Sequence, residues 1–159
     1  MKTFLYIITL LLTANLTLAN ETEKVAAVLD ELHRAASKAE TETYFNLFTE
    51  DAVFIGTDVN EFWSIEQFKA FAKPYFDKGK GWTYLLKNRN IYFSKSGDSA
   101  WFHEILFNES YGTTRGTGVL SNDKETGWRI SQYHLTIPIP NDLAKGLTEK
   151  IKEFEENYK

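Results

Sequence analysis

A chain of 159 residues with 43% hydrophobic and 15% aromatic content can bury one sizeable core, and is read as one domain. With 18 Lys and Arg against 22 Asp and Glu the formal charge is −4 and no basic cluster interrupts the balance, which argues against nucleic acid as a partner. Cysteine is absent, so disulfides, thiolate nucleophiles and Cys-ligated metals are excluded and any chemistry must use oxygen and nitrogen groups.

The chain opens MKTFLYIITLLLTANLTLAN, in which Lys2 precedes an apolar run broken by Thr9, Thr13 and Asn15. The run is too short and interrupted to span a bilayer. Thr17 and Ala19 stand where small residues precede a cleavage site, so residues 1–19 are read as a secretory signal. An N-terminal helix of the domain itself is the competing reading, weakened because the polar stretch Asn20 to Lys24 restarts the pattern. Residues 20–140 then form the domain and 141–159 a C-terminal amphipathic helix. The mature protein is expected in the periplasm or outside the cell, without a stable membrane anchor.

Val25, Val28, Leu29, Leu32, Ala35, Ala36 and Ala39 recur at helical spacing, and Tyr44, Phe45, Leu47 and Phe48 predict a second helical piece. Ala52 to Ile55 is a short strand, Gly56 permits a turn, and Ser64 caps a helix carrying Ile65, Phe68, Phe71, Ala72, Tyr75 and Phe76. After Gly81 four aromatic and β-branched runs predict antiparallel strands at about Trp82 to Ser94, Ser99 to Glu109, Thr113 to Ser121 and Gly127 to Ile137. Asn141 starts the last helix, whose Leu143, Leu147, Ile151, Phe154 and Tyr158 form one stripe. Helices first and a long antiparallel sheet second is the α+β pattern, with helices covering one face of a curved sheet.

Strand parity then sorts the side chains. Pairing Leu120 with Arg129 places Gly118 opposite Ser131, Gly116 opposite Tyr133 and Thr114 opposite Leu135. The tight turn at Ser110 to Gly112 adds Phe102, Glu104 and Leu106 to this inner face. Trp101, His103, Ile105, Phe107, Arg115, Thr117, Val119, Trp128, Ile130, Gln132, His134 and Thr136 fall on the other face. Gly116 and Gly118 leave missing volume under a helical cover, which predicts a cavity unless a helix side chain such as Phe71 or Tyr75 fills it.

The segments FTEDAVFIGTDVNEFW, GKGWTY, AWFHEIL, YGTTRGTGVL and WRISQYHLTIPIPNDL together resemble a SnoaL-like domain of the nuclear transport factor 2-like superfamily, from about Lys24 to Asn141. The resemblance implies a cone-shaped α+β fold whose sheet wraps a pocket closed by helices. It also implies an inward Leu135 and a homodimer formed through the outer face of the sheet. Members include polyketide cyclases, steroid isomerases, dehydratases and binding or scaffold domains, so fold alone assigns no activity. The positions that would carry a steroid isomerase's basic aspartate, tyrosine and protonated aspartic acid correspond to Gly56, Leu32 and Gly118, which lack those groups. A cyclase-type acid on the central strand would likewise fall at Gly116 or Gly118.

The remaining inward titratable group is Glu104, and the turn Lys95 to Asp98 can set Arg89 opposite it as a buried ion pair. As a general base, Glu104 would need burial to raise its pKa, whereas Arg89 would hold it ionised. Asp58 and Glu61, with Trp63, sit at the expected pocket mouth, where Asp58 is either an acid/base candidate or a turn former. Trp82 and Tyr84 can line the pocket with aromatic surface, and Tyr133 offers an inward hydroxyl. The expected ligand-binding set is therefore Tyr133, Glu104, Trp63, Trp82, Tyr84, Phe102, Leu135 and Arg89. Arg115 belongs to the outer face. His33, His103 and His134 show no metal-ligand spacing, so neither metal nor cofactor is expected. The leading expectation is a binding protein for a small apolar or aromatic molecule. Alternatives are an isomerase, cyclase or dehydratase using Glu104 or Asp58 as base, and a dimeric structural or interaction module.

Overall fold

The computed structural model describes residues 2–157, with side chains from residue 19 onward. The side chains of the expected signal segment before Ala19, and Tyr158, lie outside the described residues. Helix α1 (Lys2–Ser37) begins well before the helical spacing that starts at Val25. It ends where Ala39 takes φ 55°, and the amides of Ala39 and Glu40 close back on the carbonyls of Ala36 and Ala35. Helix α2 (Thr41–Phe45) is a single short piece. Leu47 and Phe48 do not continue it as expected, because Phe48 already opens strand β1 (Phe48–Ile55) and pairs with Ile130.

A hairpin at Gly56 to Glu61 turns β1 into β2 (Phe62–Ser64), an edge strand in what the sequence pattern presented as a loop. Ser64 caps α3 (Ile65–Phe76) as expected. Its hydroxyl accepts from the Gln67 amide at 3.3 Å while the Ser64 amide donates to Gln67 Oε1 at 2.9 Å. The sheet continues through β3 (Leu85–Phe93), β4 (Ser99–Asn108), β5 (Gly112–Asp123) and β6 (Gly127–Thr136), in spatial order β2-β1-β6-β5-β4-β3. All neighbours are antiparallel except β1 and β6. Trp82 and Tyr84 precede β3 rather than opening it. Gly81 lies so close to α1 that an added Cβ would stand 1.9 Å from the Ala36 carbonyl oxygen, which fixes Trp82 against the helix.

The inner faces of β4 and β5 are those that parity predicts, with Ala100, Phe102, Glu104, Leu106, Thr114, Gly116, Gly118 and Leu120 all buried. On β6 the prediction fails halfway. Val119 pairs with Gln132 but Leu120 pairs with Ile130, so Ser131 is an extra residue in a β-bulge. The bulge reverses parity: Tyr133 and Leu135 face inward as expected, and so do Trp128 and Ile130, at 7% and 0% exposure. Ser131 meets Ser121, hydroxyl to hydroxyl, at 2.6 Å, away from Gly118.

The glycine gap is also reassigned. A Cβ on Gly116 would meet the Tyr133 hydroxyl at 2.5 Å and Glu104 Oε1 at 2.8 Å, and one on Gly118 would meet the Gln132 carbonyl oxygen at 2.2 Å and Phe102 Cε1 at 2.8 Å. The sheet's own side chains fill the volume, so neither a cavity nor Phe71 or Tyr75 occupies it. The core joins α1, α2 and α3 to this face through Val25, Leu29, Leu32, Tyr44, Phe68 and Phe76.

Helix α4 (Asn141–Asn157) starts at the predicted residue, but none of its stripe is buried. Leu143, Leu147, Ile151 and Phe154 remain 63%, 38%, 40% and 60% exposed, although Leu147 and Ile151 border a shallow groove with Ile137 and Ile139. Gly118→Ala should cost about 1–3 kcal/mol of stability, read as a lower urea midpoint at unchanged m, because its clash is with backbone. Gly146→Ala, whose Cβ meets nothing within 4 Å, should leave that midpoint unchanged or raised.

Candidate functional site

Between α1, α3 and the β1–β6 half of the sheet lies a cavity of about 230 Å³. Its wall follows from the core: Phe54 from β1 stacks on Phe68 of α3 at 3.7 Å between ring centroids, and Trp63 stacks on Phe68 and Phe71 at 5.6 and 4.9 Å. Trp82 closes another side against Phe76 at 4.7 Å and Tyr44 at 6.0 Å. Nine of the sixteen lining residues are aromatic. Leu32 and Ala36 contribute from α1, and Leu135 from β6.

Beneath this wall sits a polar cluster centred on Glu104, which has 0% exposure. The strand register places Arg89 directly across from it, as the turn at Lys95 to Asp98 predicts, and Arg89 Nε donates to Glu104 Oε2 at 2.8 Å. His33 Nε2 lies 2.8 Å from Glu104 Oε1, and the Tyr133 hydroxyl donates to the same oxygen at 3.0 Å. Arg89 Nη1 also reaches the Ala26 carbonyl and Asp30, at 3.2 and 2.7 Å, so both arms of the cluster are anchored on α1.

Burial alone would raise the Glu104 carboxyl, but the His33 hydrogen bond and the charges of His33 and Arg89 outweigh it and hold the group below its ordinary value. Tyr133 moves the other way: burial and the neighbouring Glu104 charge push its phenol well up. Glu104 is therefore an ionised acceptor with three donors, a poor general base by itself. Tyr133 keeps its proton engaged with Glu104 rather than offered to a ligand.

Of the residues expected to bind ligand, Tyr133, Trp63, Trp82, Tyr84 and Leu135 line the cavity. Glu104 and Arg89 lie behind that wall, and Phe102 packs under Gly118 instead of lining it. Asp58 is a turn former: its Oδ1 accepts from the Asn60 amide at 2.8 Å and side chain at 3.1 Å, and it stays exposed. His33 was not singled out by spacing. It stands one turn beyond Leu29 and one short of Ala36 at the border of the α1 apolar stripe, and that position is the signal that marks it.

Glu61 lines the mouth, where its Oε2 accepts from the Asp58 amide at 3.1 Å. The carboxylate lies over Gly56, only 2.1 Å from where a Cβ there would stand. His103 and His134 share one outer rung of the sheet, separated by Thr117. Among the described residues no group of three or more His, Asp or Glu side chains could hold a metal ion.

Replacing Glu104 by Gln leaves Arg89, only 6% exposed, without its inner counter-charge, so the variant should lose roughly 3–5 kcal/mol at pH 7. The depressed carboxyl contributes stability above its unfolded value, near 4.5, and that contribution disappears as pH falls through the lower folded value. The difference between the parent and Glu104→Gln in urea unfolding should therefore shrink as pH is taken below about 4; a gap constant from pH 7 to pH 3 would contradict the assignment.

Residues 25–140 match the SnoaL-like domain family. A cystatin-like domain of unknown function from Nostoc punctiforme superposes with a TM-score of 0.68 at 17% identity, covering 82% of this chain and 85% of that one. A nuclear transport factor 2-like protein with a cystatin-like fold from Novosphingobium aromaticivorans gives 0.63 at 16%, covering 86% and 94%. Another nuclear transport factor 2-like protein of unknown function, from Pseudomonas putida, gives 0.62 at 14%, covering 77% and 89%. No curated protein matches the chain. At these identities the solved structures speak for the fold, while the match across residues 25–140 speaks for the family: the chain belongs to the SnoaL-like domain family.

Proposed function

We propose that this chain is an exported protein that binds a small, largely aromatic molecule in its cavity. The observation that carries the reading is the nine-ring lining around about 230 Å³, a volume below that of drug-sized sites and suited to a compact ligand. Cleavage after Ala19 would keep Glu21, whose Oε2 accepts from Trp128 Nε1 at 2.7 Å, on the mature chain. A homodimer through the outer sheet face belongs to the same proposal. With Trp128 and Ile130 turned inward, that face still presents Trp101 stacked on Tyr92 at 6.0 Å and, further along β4, Phe107, all three exposed.

One observation favours a second reading, proton transfer. His33 lines the cavity while Glu104 accepts from its Nε2, so the neutral form of the ring carries its lone pair on Nδ1. The base in that reading is His33, positioned by Glu104, rather than Glu104 or Asp58 themselves.

A neutral probe with exchangeable protons next to a carbonyl, 2-tetralone, separates the readings. It should quench Trp63 and Trp82 emission saturably with one site per chain, and Ala36→Leu, which narrows the cavity, should weaken it while circular dichroism stays unchanged. No saturable quenching would refute the cavity as a ligand site. Deuterium uptake into 2-tetralone no faster than in buffer supports binding alone; uptake accelerated by the parent protein and lost in His33→Asn establishes the second reading. For the assembly, sedimentation should give twice the chain mass, and Trp101→Glu should return a monomer.

A further inference from the structure

We infer that the cavity selects an organic cation, a protonated amine carried on a small aromatic or apolar body. The inference rests on the cavity being a ligand site and adds the charge of what enters it.

The argument is a charge inventory of the walls. No Lys or Arg lines the cavity. The Arg89 guanidinium lies behind the wall and is already bonded to Glu104 at 2.8 Å and Asp30 at 2.7 Å. The carboxylate of Glu61, by contrast, lies in the lining at the mouth. It is fixed there by backbone on both sides: its Oε2 takes the Asp58 amide at 3.1 Å, and its own carbonyl takes the Gly56 amide at 2.8 Å. Gly56 is what admits it, since any Cβ there would collide with the carboxylate. No Lys or Arg forms an ion pair with Glu61 among the described residues.

The neighbouring phenols of Tyr84 and Tyr111 carry no positive charge in either form. Tyr84 is pushed up to about 12 by burial, then by Tyr111 and Glu61, which places these three groups together. An anion would pass Glu61 and meet inside only His33, whose Nε2 is already engaged by Glu104 at 2.8 Å. A neutral molecule would gain only the apolar wall. A cation gains the wall, the carboxylate and the negative faces of surrounding rings, an attraction that strengthens as water is excluded. The walls therefore both attract one charge class and repel its opposite.

Three probes of nearly equal size test this by Trp quenching at pH 7: phenethylamine, phenethyl alcohol and phenylacetate, each also run in competition with 2-tetralone. Phenethylamine should bind about tenfold tighter than the alcohol, with phenylacetate weakest. Glu61→Gln keeps an oxygen acceptor for the Asp58 amide while removing the charge. It should cost the amine about tenfold and leave the alcohol within about twofold. Glu61→Asp should keep part of the preference. An alcohol that binds as well as the amine, an acid that binds best, or an amine preference untouched in Glu61→Gln would each overturn the cation assignment. If 2-tetralone still binds in those cases, the cavity reading survives; if 2-tetralone does not bind at all, the cavity reading itself has failed.

Discussion

A carboxylate with no exposure in the middle of a sheet is tolerated only when its surroundings replace water completely, and Glu104 imposes that requirement on the rest of the domain. Arg89 must come from the adjacent strand, His33 from α1 and Tyr133 from two strands away, so satisfying one side chain fixes how the helix sits on the sheet. Gly116 is part of the same solution, because a methyl group on that residue would occupy the space in which Tyr133 and Glu104 meet. The cluster works as a unit: each donor is oriented by an element that has its own reasons to be where it is. Such a network specifies one docking of α1 more sharply than the interchangeable apolar contacts of Leu29 or Leu32 could.

The cavity wall and the hydrophobic core are not separate structures. Tyr44 and Phe68 line the cavity and are also buried at 2% exposure, packed against Phe45, Phe48 and Phe76 through tilted and edge-on rings. The pocket is therefore preformed and stiff, with its shape set by core packing rather than by a mobile loop. Its mouth has a different character, since the turn carrying Glu61 is held by local hydrogen bonds at Asp58 and Gly56.

Much of the fold was legible because it rests on local rules. Ser64 announces a helix start, the turn at Lys95 to Asp98 sets Arg89 against Glu104, and alternation on β4 and β5 is unbroken. What escaped depends on three-dimensional neighbours. A bulge such as that at Ser131 leaves no mark in a periodic pattern. Glycine reads as absent volume, but whether Tyr133, Phe102 or a ligand takes the space is decided by distant side chains. His33 looked isolated because its partner is 71 residues away. The stripe of α4 has the spacing of a packed helix, yet packing needs a surface opposite it, and the pattern along one segment contains no information about that surface.

The bulge at Ser131 divides β6 into two lengths with opposite phase. The segment before it, with Trp128 and Ile130, belongs to the core beside Phe93 and Phe48; the segment after it, with Tyr133 and Leu135, belongs to the cavity. A strand of unbroken phase would couple these two duties rigidly, since any slip in register would turn both sets of side chains to solvent together. The extra residue acts as a clutch between them. Sequence drift that reshapes the ligand wall can proceed on one side of Ser131 while the other side keeps the sheet anchored, which gives the domain room to change what it binds without relinquishing how it folds.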